Sequence, residues 1–334
     1  MREPAFWWRE PGLAAGLLAP LAAVYGTVAA ARLAQSGARA AVPVVCIGNL
    51  TVGGAGKTPL ALALARLLQD AGQAPMLLSR GYGGKLKGPL RVDPARHRAV
   101  DVGDEPLLLA RVAPTFVARD RFLGAQAAVA AGAGLILMDD GFQNPSLQKS
   151  FSVLVVDGRR GIGNGRVIPA GPLRAPLAAQ LARADALVVV GPSDAGAEVV
   201  AAARGRGVPV FHAGVAPDAV VAAALAGCRV LAFAGIGDPE KLFVTLRDAR
   251  IAVAATRSFA DHHRYTPAEA RMLCEQADRE ALMLVTTEKD WVRLQGDAGV
   301  AALAARARAL PVSLALKDPS AFLQLLRNRL ASAA

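Results

Sequence analysis

The fold is decided by residues 41–69. This stretch opens with the apolar run AVPVVCI at 41–47 and passes through TVGGAGKT at 51–58. It then continues into residues 60–69, where leucine and alanine recur at helical spacing. A short run rich in β-branched residues is typical of a strand buried in a parallel sheet. Strand, glycine-rich loop and helix in this order predict the phosphate-binding unit of a P-loop nucleotide-binding fold.

The loop matches the pattern GxxxxGK followed by Ser or Thr, except that Thr51 stands where the pattern has glycine. Lys57 is expected to reach the β- and γ-phosphates of a nucleotide, and Thr58 to offer its hydroxyl to Mg²⁺. A glycine-rich turn that binds no nucleotide is the alternative. The residues predicted to bind the nucleotide are Thr51, Val52, Gly53, Gly54, Ala55, Gly56, Lys57 and Thr58.

A second apolar run, Leu135 to Met138, ends in Asp139 and Asp140. P-loop enzymes hold Mg²⁺ partly through a carboxylate at the end of a buried strand. The two aspartates are therefore predicted to lie at the metal. The alternative is that one of them only caps the following turn, and which one would contact the metal directly stays open.

Short strands alternate with helices along most of the chain, which predicts an α/β class with a P-loop NTPase-type parallel sheet. Residues 216–228 are small and apolar without a clear period, and a second alternation follows them. A last helix, at 319–331, is expected to pack on either half. The predicted parts are an N-terminal membrane-associated helix at 1–35, a P-loop ATP-binding domain at 36–220 and a smaller α/β domain at 221–334 that closes over the site.

The chain is strongly basic, with 38 basic and 27 acidic side chains and a formal net charge of +11. An anionic partner is therefore expected. Continuous basic blocks are missing and aromatic residues make up only 5% of the chain, which argues against nucleic acid and favours a phospholipid surface. Cys46, Cys228 and Cys274 are far apart, so a reducing compartment is expected.

Residues 12–31 read GLAAGLLAPLAAVYGTVAAA and carry no charge. Trp7 and Trp8, just upstream, suit the headgroup layer of a membrane. We expect a helix that lies on a membrane surface or enters it shallowly; a buried helix of the globular fold and a spanning helix are the alternatives. A secretory signal is disfavoured because Glu3 and Glu10 interrupt the basic region that such a signal needs.

Four further polar stretches lie at the ends of predicted elements. Each has an ordinary structural interpretation, such as a flexible turn, a surface loop or a cap; Asp104, for example, would serve as a helix N-cap. The pair His262 and His263 has no third residue at a spacing that suits a metal. The four stretches are SRGYGGK (79–85), GDEP (103–106), DHH (261–263) and TTEKD (286–290).

Together with the loop, these stretches resemble one family, the tetraacyldisaccharide 4'-kinases of lipid A synthesis. The resemblance runs over nearly the whole chain, and Thr51 is itself part of the family's pattern. One departure is Ala175, where the family usually has an acidic residue. The motifs that carry the resemblance are GNLTVGG (48–54), GKTP (56–59), SRGYG (79–83), VGDEP (102–106), DDGFQ (139–143), PAGPLR (169–174), FAGIG (233–237), FADH (259–262) and TTEKD (286–290).

The resemblance implies a kinase that uses ATP and Mg²⁺ to phosphorylate the 4'-hydroxyl of a tetraacylated glucosamine disaccharide 1-phosphate in lipid A biosynthesis. It implies catalytic roles for Asp104 as general base, for His262 as its partner and for Lys57 in the loop. His263 is the alternative to His262. The remaining implied positions are Thr58, Asp139, Asp140 and Gln143 around Mg²⁺, and Arg119 and Arg174 as anion-contacting residues.

The resemblance also implies a setting at the cytoplasmic face of the bacterial inner membrane, and we expect a monomer that binds its lipid substrate and no nucleic acid. Two rival classes share the strand, loop and helix. One is a P-loop ligase acting on a soluble substrate, in which neither an Asp–His pair nor an apolar leader helix is expected. The other is a nucleotide-switch or metallochaperone-like protein, which binds partners and phosphorylates no metabolite.

Overall fold

The structure, a computed structural model, describes residues 3–192 and 194–333 and contains two β-sheets. Strands form where short runs of β-branched and other apolar residues are bounded by glycine, proline or polar residues. The strands are β1 (Val44–Asn49), β2 (Pro75–Ser79), β3 (Leu90–Arg91), β4 (Thr115–Val117), β5 (Leu135–Asp139), β6 (Phe151–Asp157), β7 (Ala186–Val190), β8 (Val210–Pro217), β9 (Arg229–Ala234), β10 (Ala252–Ser258), β11 (Met283–Thr287), β12 (Arg308–Leu310) and β13 (Val312–Leu316).

The helices cover both faces of these sheets, and two short 3₁₀ turns, Ala5–Trp8 and Ala298–Val300, add to them. The helices are α1 (Leu13–Leu17), α2 (Ala19–Ala34), α3 (Lys57–Asp70), α4 (Ala99–Val102), α5 (Asp104–Leu109), α6 (Arg121–Ala130), α7 (Leu177–Leu181), α8 (Ala197–Arg204), α9 (Ala219–Ala224), α10 (Glu240–Asp248), α11 (Pro267–Glu280), α12 (Glu288–Leu294), α13 (Ala301–Arg306) and α14 (Pro319–Ala333).

The large sheet has the strand order β13-β8-β7-β6-β1-β5-β2-β4-β3. All neighbours from β8 to β4 run parallel, and the edge strands β13 and β3 are antiparallel to theirs. This confirms the predicted α/β class with a parallel sheet. Parallel strands end at the same edge, so the loops after β1 and β5, which are neighbours, lie side by side.

The central strand β1 is buried on both faces. Val44 and Cys46 point into one core, and Val45 and Ile47 point into the other. Helices α6, α7 and α8 cover the first face, and α3 and α14 cover the second. Side chains that alternate between two apolar layers explain why this strand is a continuous apolar run.

The smaller sheet has the order β10-β9-β11-β12, with all strands parallel. The chain then returns to the large sheet: β13 pairs with β8, and Phe322 of α14 packs edge-on against Phe151 and Phe211. The predicted domain at 221–334 includes this last strand, whereas the last helix was expected to pack on either half. An apolar strand pattern does not reveal which sheet edge the strand will join, because either edge offers the same backbone hydrogen bonds.

Residues 216–228, where the domain junction was predicted, show no clear helical or strand period in the sequence, but the structure gives them regular elements. Strand β8 extends to Pro217, and the helix α9 follows directly, with Asp218 capping it by accepting from the Val221 N–H. The six residues of α9 are all alanine or valine, so this helix has no polar face by which a helical period could be recognised.

The apolar segment 12–31 forms two helices, α1 and α2, with Leu18 between them. Pro20 lies in the first turn of α2, where its missing N–H costs no hydrogen bond. Ala15 and Ala22 are buried against the rest of the protein, whereas most of the larger apolar residues of the same helices are exposed. Among the described residues, no helix has the length and apolar character needed to cross a bilayer.

Candidate active site

The phosphate loop connects β1 to α3, which begins at Lys57. Gly56, just before the helix, has a φ of 98°, and Gly53 has a φ of 96°. Other residues rarely adopt such angles, so the turn requires glycine at both positions. The loop thereby ends at the N-terminus of α3, where unpaired N–H groups attract anions.

Neighbouring segments hold the loop in place. The Asn49 side chain at the end of β1 donates to the Gly53 carbonyl at 3.1 Å, and Arg174 Nε donates to the Thr51 carbonyl at 3.1 Å. Thr51 is 5% exposed. Thr51, which departs from the general loop pattern, is therefore a buried residue whose carbonyl accepts a hydrogen bond from Arg174.

Two segments that are distant in sequence also contact the loop. Lys241 Nζ, from α10, donates to the Gly54 carbonyl at 2.6 Å. The Glu3 carboxylate lies beside Gly53, where a Cβ would come within 2.1 Å of Glu3 Oε1. Glu3 also pairs with Arg160 at 2.8 Å. Both the N-terminal turn and the smaller-sheet part of the chain therefore reach the nucleotide loop.

Asp140 meets two cations at this edge of the sheet. Lys57 Nζ lies 3.7 Å and Arg174 Nη1 lies 2.8 Å from Asp140 Oδ1. Burial by itself raises the pKa of Asp140, but Lys57 and Arg174 together hold that pKa well below its ordinary value. Asp140 is therefore ionised at neutral pH and links the loop lysine to the arginine.

Asp139, the last residue of β5, is 1% exposed, and neither carboxylate oxygen has a hydrogen-bond partner within the described part of the chain. Burial, with the charges of Glu105 and Asp140, raises its pKa to about 7. A buried carboxylate without partners is costly unless a cation compensates it. Its oxygens, like the Thr58 hydroxyl at the start of α3, are ligands of the kind that Mg²⁺ prefers.

Residues 3–192 and 194–333 contain no set of three histidine, cysteine or acidic side chains that is arranged to hold a metal. Magnesium in phosphoryl-transfer sites is commonly bound through one or two protein oxygens together with waters and substrate phosphates. A Mg²⁺ ion at Asp139 would accordingly need nucleotide phosphates to complete its coordination.

Gln143 supports Arg174 in this structure. Arg174 Nη1 donates to Gln143 Oε1 at 3.3 Å, and Gln143 Nε2 donates to the Asn49 carbonyl at 3.0 Å. The same amide nitrogen donates to Gln180 Oε1 at 3.2 Å. Its amide therefore contacts protein groups on both sides and joins the arginine to the end of β1.

Asp104 begins α5 and is 3% exposed. His262 Nδ1 lies 3.3 Å from Asp104 Oδ2, and Arg293 Nε donates to the same oxygen at 2.7 Å. Burial opposes ionisation of Asp104, but the His262 hydrogen bond and the Arg293 charge hold its pKa well below the ordinary value. Burial likewise lowers the pKa of His262, but the bond to Asp104 outweighs it, so that pKa is raised.

The two histidines point in different directions. His263 Nε2 lies 2.9 Å from Glu269 Oε2, and its ring stacks on Phe259. His262, which has a left-handed backbone with a φ of 54°, is the one that faces Asp104. Residues 104 and 262 are thus brought together from the two sheets.

The Arg119 and Ala175 side chains make none of these contacts, although the Ala175 carbonyl accepts from Gln180 Nε2 at 2.7 Å. The Arg119 side chain is exposed, and its guanidinium makes no hydrogen bond or ion pair within the described residues. The buried arginine of this segment is Arg121, 1% exposed, whose Nη1 donates to the Ala118 carbonyl at 2.6 Å. Two arginines so close together gave no indication of which one faces inward. Ala175 is fully buried, which leaves no room there for a solvated carboxylate.

Three charged residues of the site were not predicted: Glu105, Lys289 and Arg293. Lys289 Nζ lies 2.6 Å from Glu105 Oε1, which also accepts from the Thr58 hydroxyl at 3.3 Å. Lys289 belongs to the TTEKD stretch. The sequence indicated only a cap at the end of a strand there, and it did not indicate which carboxylate would pair with the lysine. Thr287 does cap α12, accepting from the Asp290 N–H.

Comparison with known proteins places these residues in context. Residues 14–331 match the family described as tetraacyldisaccharide-1-P 4'-kinase. A Nitrobacter winogradskyi protein named tetraacyldisaccharide 4'-kinase is 53% identical over 99% of this chain and 98% of its own. One of the same name from Methylobacterium sp. (strain 4-46) is 56% identical over 99% of this chain and 98% of its own. A crystal structure of LpxK from Aquifex aeolicus in complex with ATP superposes with a TM-score of 0.71 at 27% identity, covering 95% of this chain and 99% of that one.

Proposed function

Because the chain belongs to the tetraacyldisaccharide-1-P 4'-kinase family and is thus an ATP-dependent kinase, we propose that its Asp104–His262 pair activates the 4'-hydroxyl of the lipid acceptor. The γ-phosphate of ATP is transferred to this hydroxyl in lipid A biosynthesis. The observation that carries the proposal is the 3.3 Å contact between the pair, formed next to a phosphate-binding loop. Neither a ligase for soluble substrates nor a nucleotide switch needs such a pair.

Lys57 and Arg174 are the groups that meet the charge of the transferring phosphoryl group. Both form ion pairs with Asp140 in this structure. Phosphate oxygens bound at the N-terminus of α3 would compete with Asp140 for these two cations. Thr58 and one of the two aspartates, Asp139 or Asp140, would hold Mg²⁺, which when bound neutralises phosphate charge. The unpartnered carboxylate of Asp139 favours it as the direct ligand.

Phosphoryl transfer makes and breaks bonds at the acceptor oxygen and at the γ-phosphorus. The acceptor O–H bond breaks as a bond forms from that oxygen to the γ-phosphorus, and the bond from phosphorus to ADP breaks. The hydrogen bond from His262 and the charge of Arg293 hold Asp104 ionised, so we assign the proton to His262 Nε2, with Nδ1–H donating to Asp104. Asp104, expected from the resemblance to be the base, then orients the ring and stabilises the imidazolium.

This assignment predicts an acid limb in the pH profile. His262 must be neutral to accept a proton, and its pKa is raised above the ordinary 6.5 because the ring bonds to Asp104. We therefore expect kcat to fall with decreasing pH, with a midpoint above 6.5 in the wild type. In Asp104→Asn the midpoint should move to lower pH, measured with saturating MgATP; an unmoved midpoint assigns the limb to another group.

We propose that the parts of the chain that form the two sheets act as two units, with the boundary near residue 220. The C-terminal strand β13 and helix α14 are the exception, because they belong to the large-sheet unit. Asp104 and His262 lie on different units, as do Glu105 with Lys289 and Gly54 with Lys241. Approach of the units therefore assembles the site and excludes water, which would limit ATP hydrolysis without an acceptor.

We also propose that α1 and α2 bind the surface of the bacterial inner membrane on its cytoplasmic face, where the enzyme acts as a monomer on its acylated substrate. The support is a stripe of apolar side chains at helical spacing, each 55–89% exposed: Leu13, Leu17, Leu21, Val24 and Val28. Such a stripe, on a chain with a net charge of +11, suits an anionic lipid surface. Free cysteines and the use of ATP fit a reducing compartment.

Replacing Leu13, Leu17, Leu21 and Val24 with glutamine should lower binding to anionic phospholipid vesicles by at least about tenfold, measured by co-sedimentation. Each replaced side chain, if it is fully inserted in the membrane, contributes roughly 1.5–3 kcal/mol to the free energy of binding. Deleting residues 1–32 should also release the protein, but it removes Glu3 from the nucleotide loop, so point substitutions isolate membrane binding.

Val220→Gln is the matched control, since Val220 is 79% exposed on α9. It should leave vesicle binding unchanged. Wild-type binding by the fourfold variant would refute the proposed membrane surface, and loss of kcat on detergent-dispersed substrate would instead indicate a folding defect.

The decisive assay for the proposed function uses γ-labelled ATP and purified disaccharide 1-phosphate. Label should move into a chloroform-extractable product carrying one additional phosphate at the 4'-position. Hydrolysis of ATP without labelled lipid would favour the rival nucleotide-switch class.

A further inference from the structure

Arg293 is a buried arginine of α12, and its side chain is only 6% exposed. Its Nε donates to Asp104 Oδ2 at 2.7 Å, and its Nη2 contacts the same oxygen. On the other side Nη1 donates to the Gly235 carbonyl at 2.7 Å and to Asp290 Oδ1 at 2.9 Å. The guanidinium therefore joins a carboxylate of the large-sheet unit to two groups of the smaller one.

The groups on that second side fix the loop that carries His262. The Gly235 carbonyl, which accepts from Arg293, also accepts from the His262 N–H at 3.0 Å. Asp290 Oδ1 in turn accepts from the Gly235 N–H at 2.9 Å and from the Tyr265 hydroxyl at 2.8 Å. Arg293 thus contacts the carboxylate of the Asp104–His262 pair and the carbonyl that anchors the histidine backbone.

We propose that Arg293 is a positioning residue for phosphoryl transfer, which sets the separation and alignment of Asp104 and His262 without touching the substrate. This inference rests on the proposed function, since it concerns how the pair is held. Arginine suits the task because its rigid fork of donors reaches both partners at once. A lysine ammonium is a single point donor and cannot span the carboxylate and the carbonyl together.

The test compares kcat with KM in two variants. Arg293→Met should lower kcat by roughly 100-fold, the effect expected when a reacting group moves by about 1 Å, with KM for ATP changed less than about twofold. Arg293→Lys keeps the charge and should give an intermediate loss of about tenfold. Arg306→Met is the control, because Arg306 is also paired with an aspartate, Asp278, but on the exposed surface; it should leave both constants unchanged.

A double-mutant cycle separates positioning from a general structural role. In a His262→Ala background, Arg293→Met should lower kcat by less than about a further threefold. The histidine that Arg293 aligns is already absent from this background. The same 100-fold loss in that background, or an unchanged kcat in the single variants, would overturn the inference. If Arg293→Met fails to fold, the cycle is measured with Arg293→Lys. We then expect kcat to fall about tenfold in the wild-type background and less than about threefold in the His262→Ala background.

The two conclusions fail in different ways. A wild-type enzyme that labels the lipid, together with fully active Arg293 variants, removes only this inference. A wild-type enzyme that transfers no label removes the proposed function itself.

Discussion

Lys57→Ala is expected to lower phosphorylation of the disaccharide by roughly 10³-fold or more, close to complete loss. Lys57 is the first residue of α3, and its ammonium lies 3.7 Å from Asp140 at the edge of the phosphate loop. Burial lowers the pKa of Lys57, whereas the nearby carboxylates of Asp140, Glu105 and Asp139 act to raise it. Alanine removes the charge that would follow the phosphoryl group through transfer.

The fold should survive this change, because Asp140 keeps Arg174 as an ion-pair partner at 2.8 Å. The measurement is initial rates with labelled ATP, alongside the thermal midpoint of unfolding. Lys317→Ala, at an exposed lysine, is the matched control and should behave as wild type. Retained activity in Lys57→Ala would remove the loop from the mechanism.

Asp104→Asn is expected to lower kcat by roughly 10²- to 10⁴-fold while ATP still binds. An amide cannot stabilise the imidazolium that forms when His262 takes the proton, and it can hold the ring in the wrong tautomer. The neutral side chain also leaves Asp290 as the acidic residue that pairs with the Arg293 guanidinium. Turnover should therefore fall much more than nucleotide affinity.

Turnover and ATP binding need to be measured on the same preparation of Asp104→Asn. Asp248→Asn changes an exposed aspartate of the smaller-sheet unit and should leave both quantities unchanged. If ATP affinity falls and kcat does not, Asp104 is a structural residue and the assigned pair has no role in transfer.

Most of the fold could be predicted because its signals are local. The strand at 41–47, the glycines of the loop and the apolar run ending at Asp139 each follow from neighbouring residues, and the structure contains them. The helix α9 escaped notice because alanine and valine fill all its faces, and β13 joined an edge that no local pattern identifies. Such features depend on which surface remains open after the rest of the chain has packed.

The candidate site divides in the same way. Lys57, Thr58 and the pair Asp139–Asp140 followed from motifs at the ends of strands, because parallel strands bring such ends to one edge. Asp104 and His262 were brought together only by a family resemblance, since 157 residues separate them in the chain. Arg293 gave no signal at all, because two of its three partners, Asp104 and Gly235, lie far from it in the chain.

The sequence alone determined the phosphate loop of this kinase, since backbone geometry and local spacing create that site within a few residues. Tertiary structure decided which charges face one another: which arginine is buried, which histidine meets Asp104, and where Glu105 finds its cation. The physical reason is that the strength of an ionic contact depends on distance and burial, and both arise only when separate units pack together.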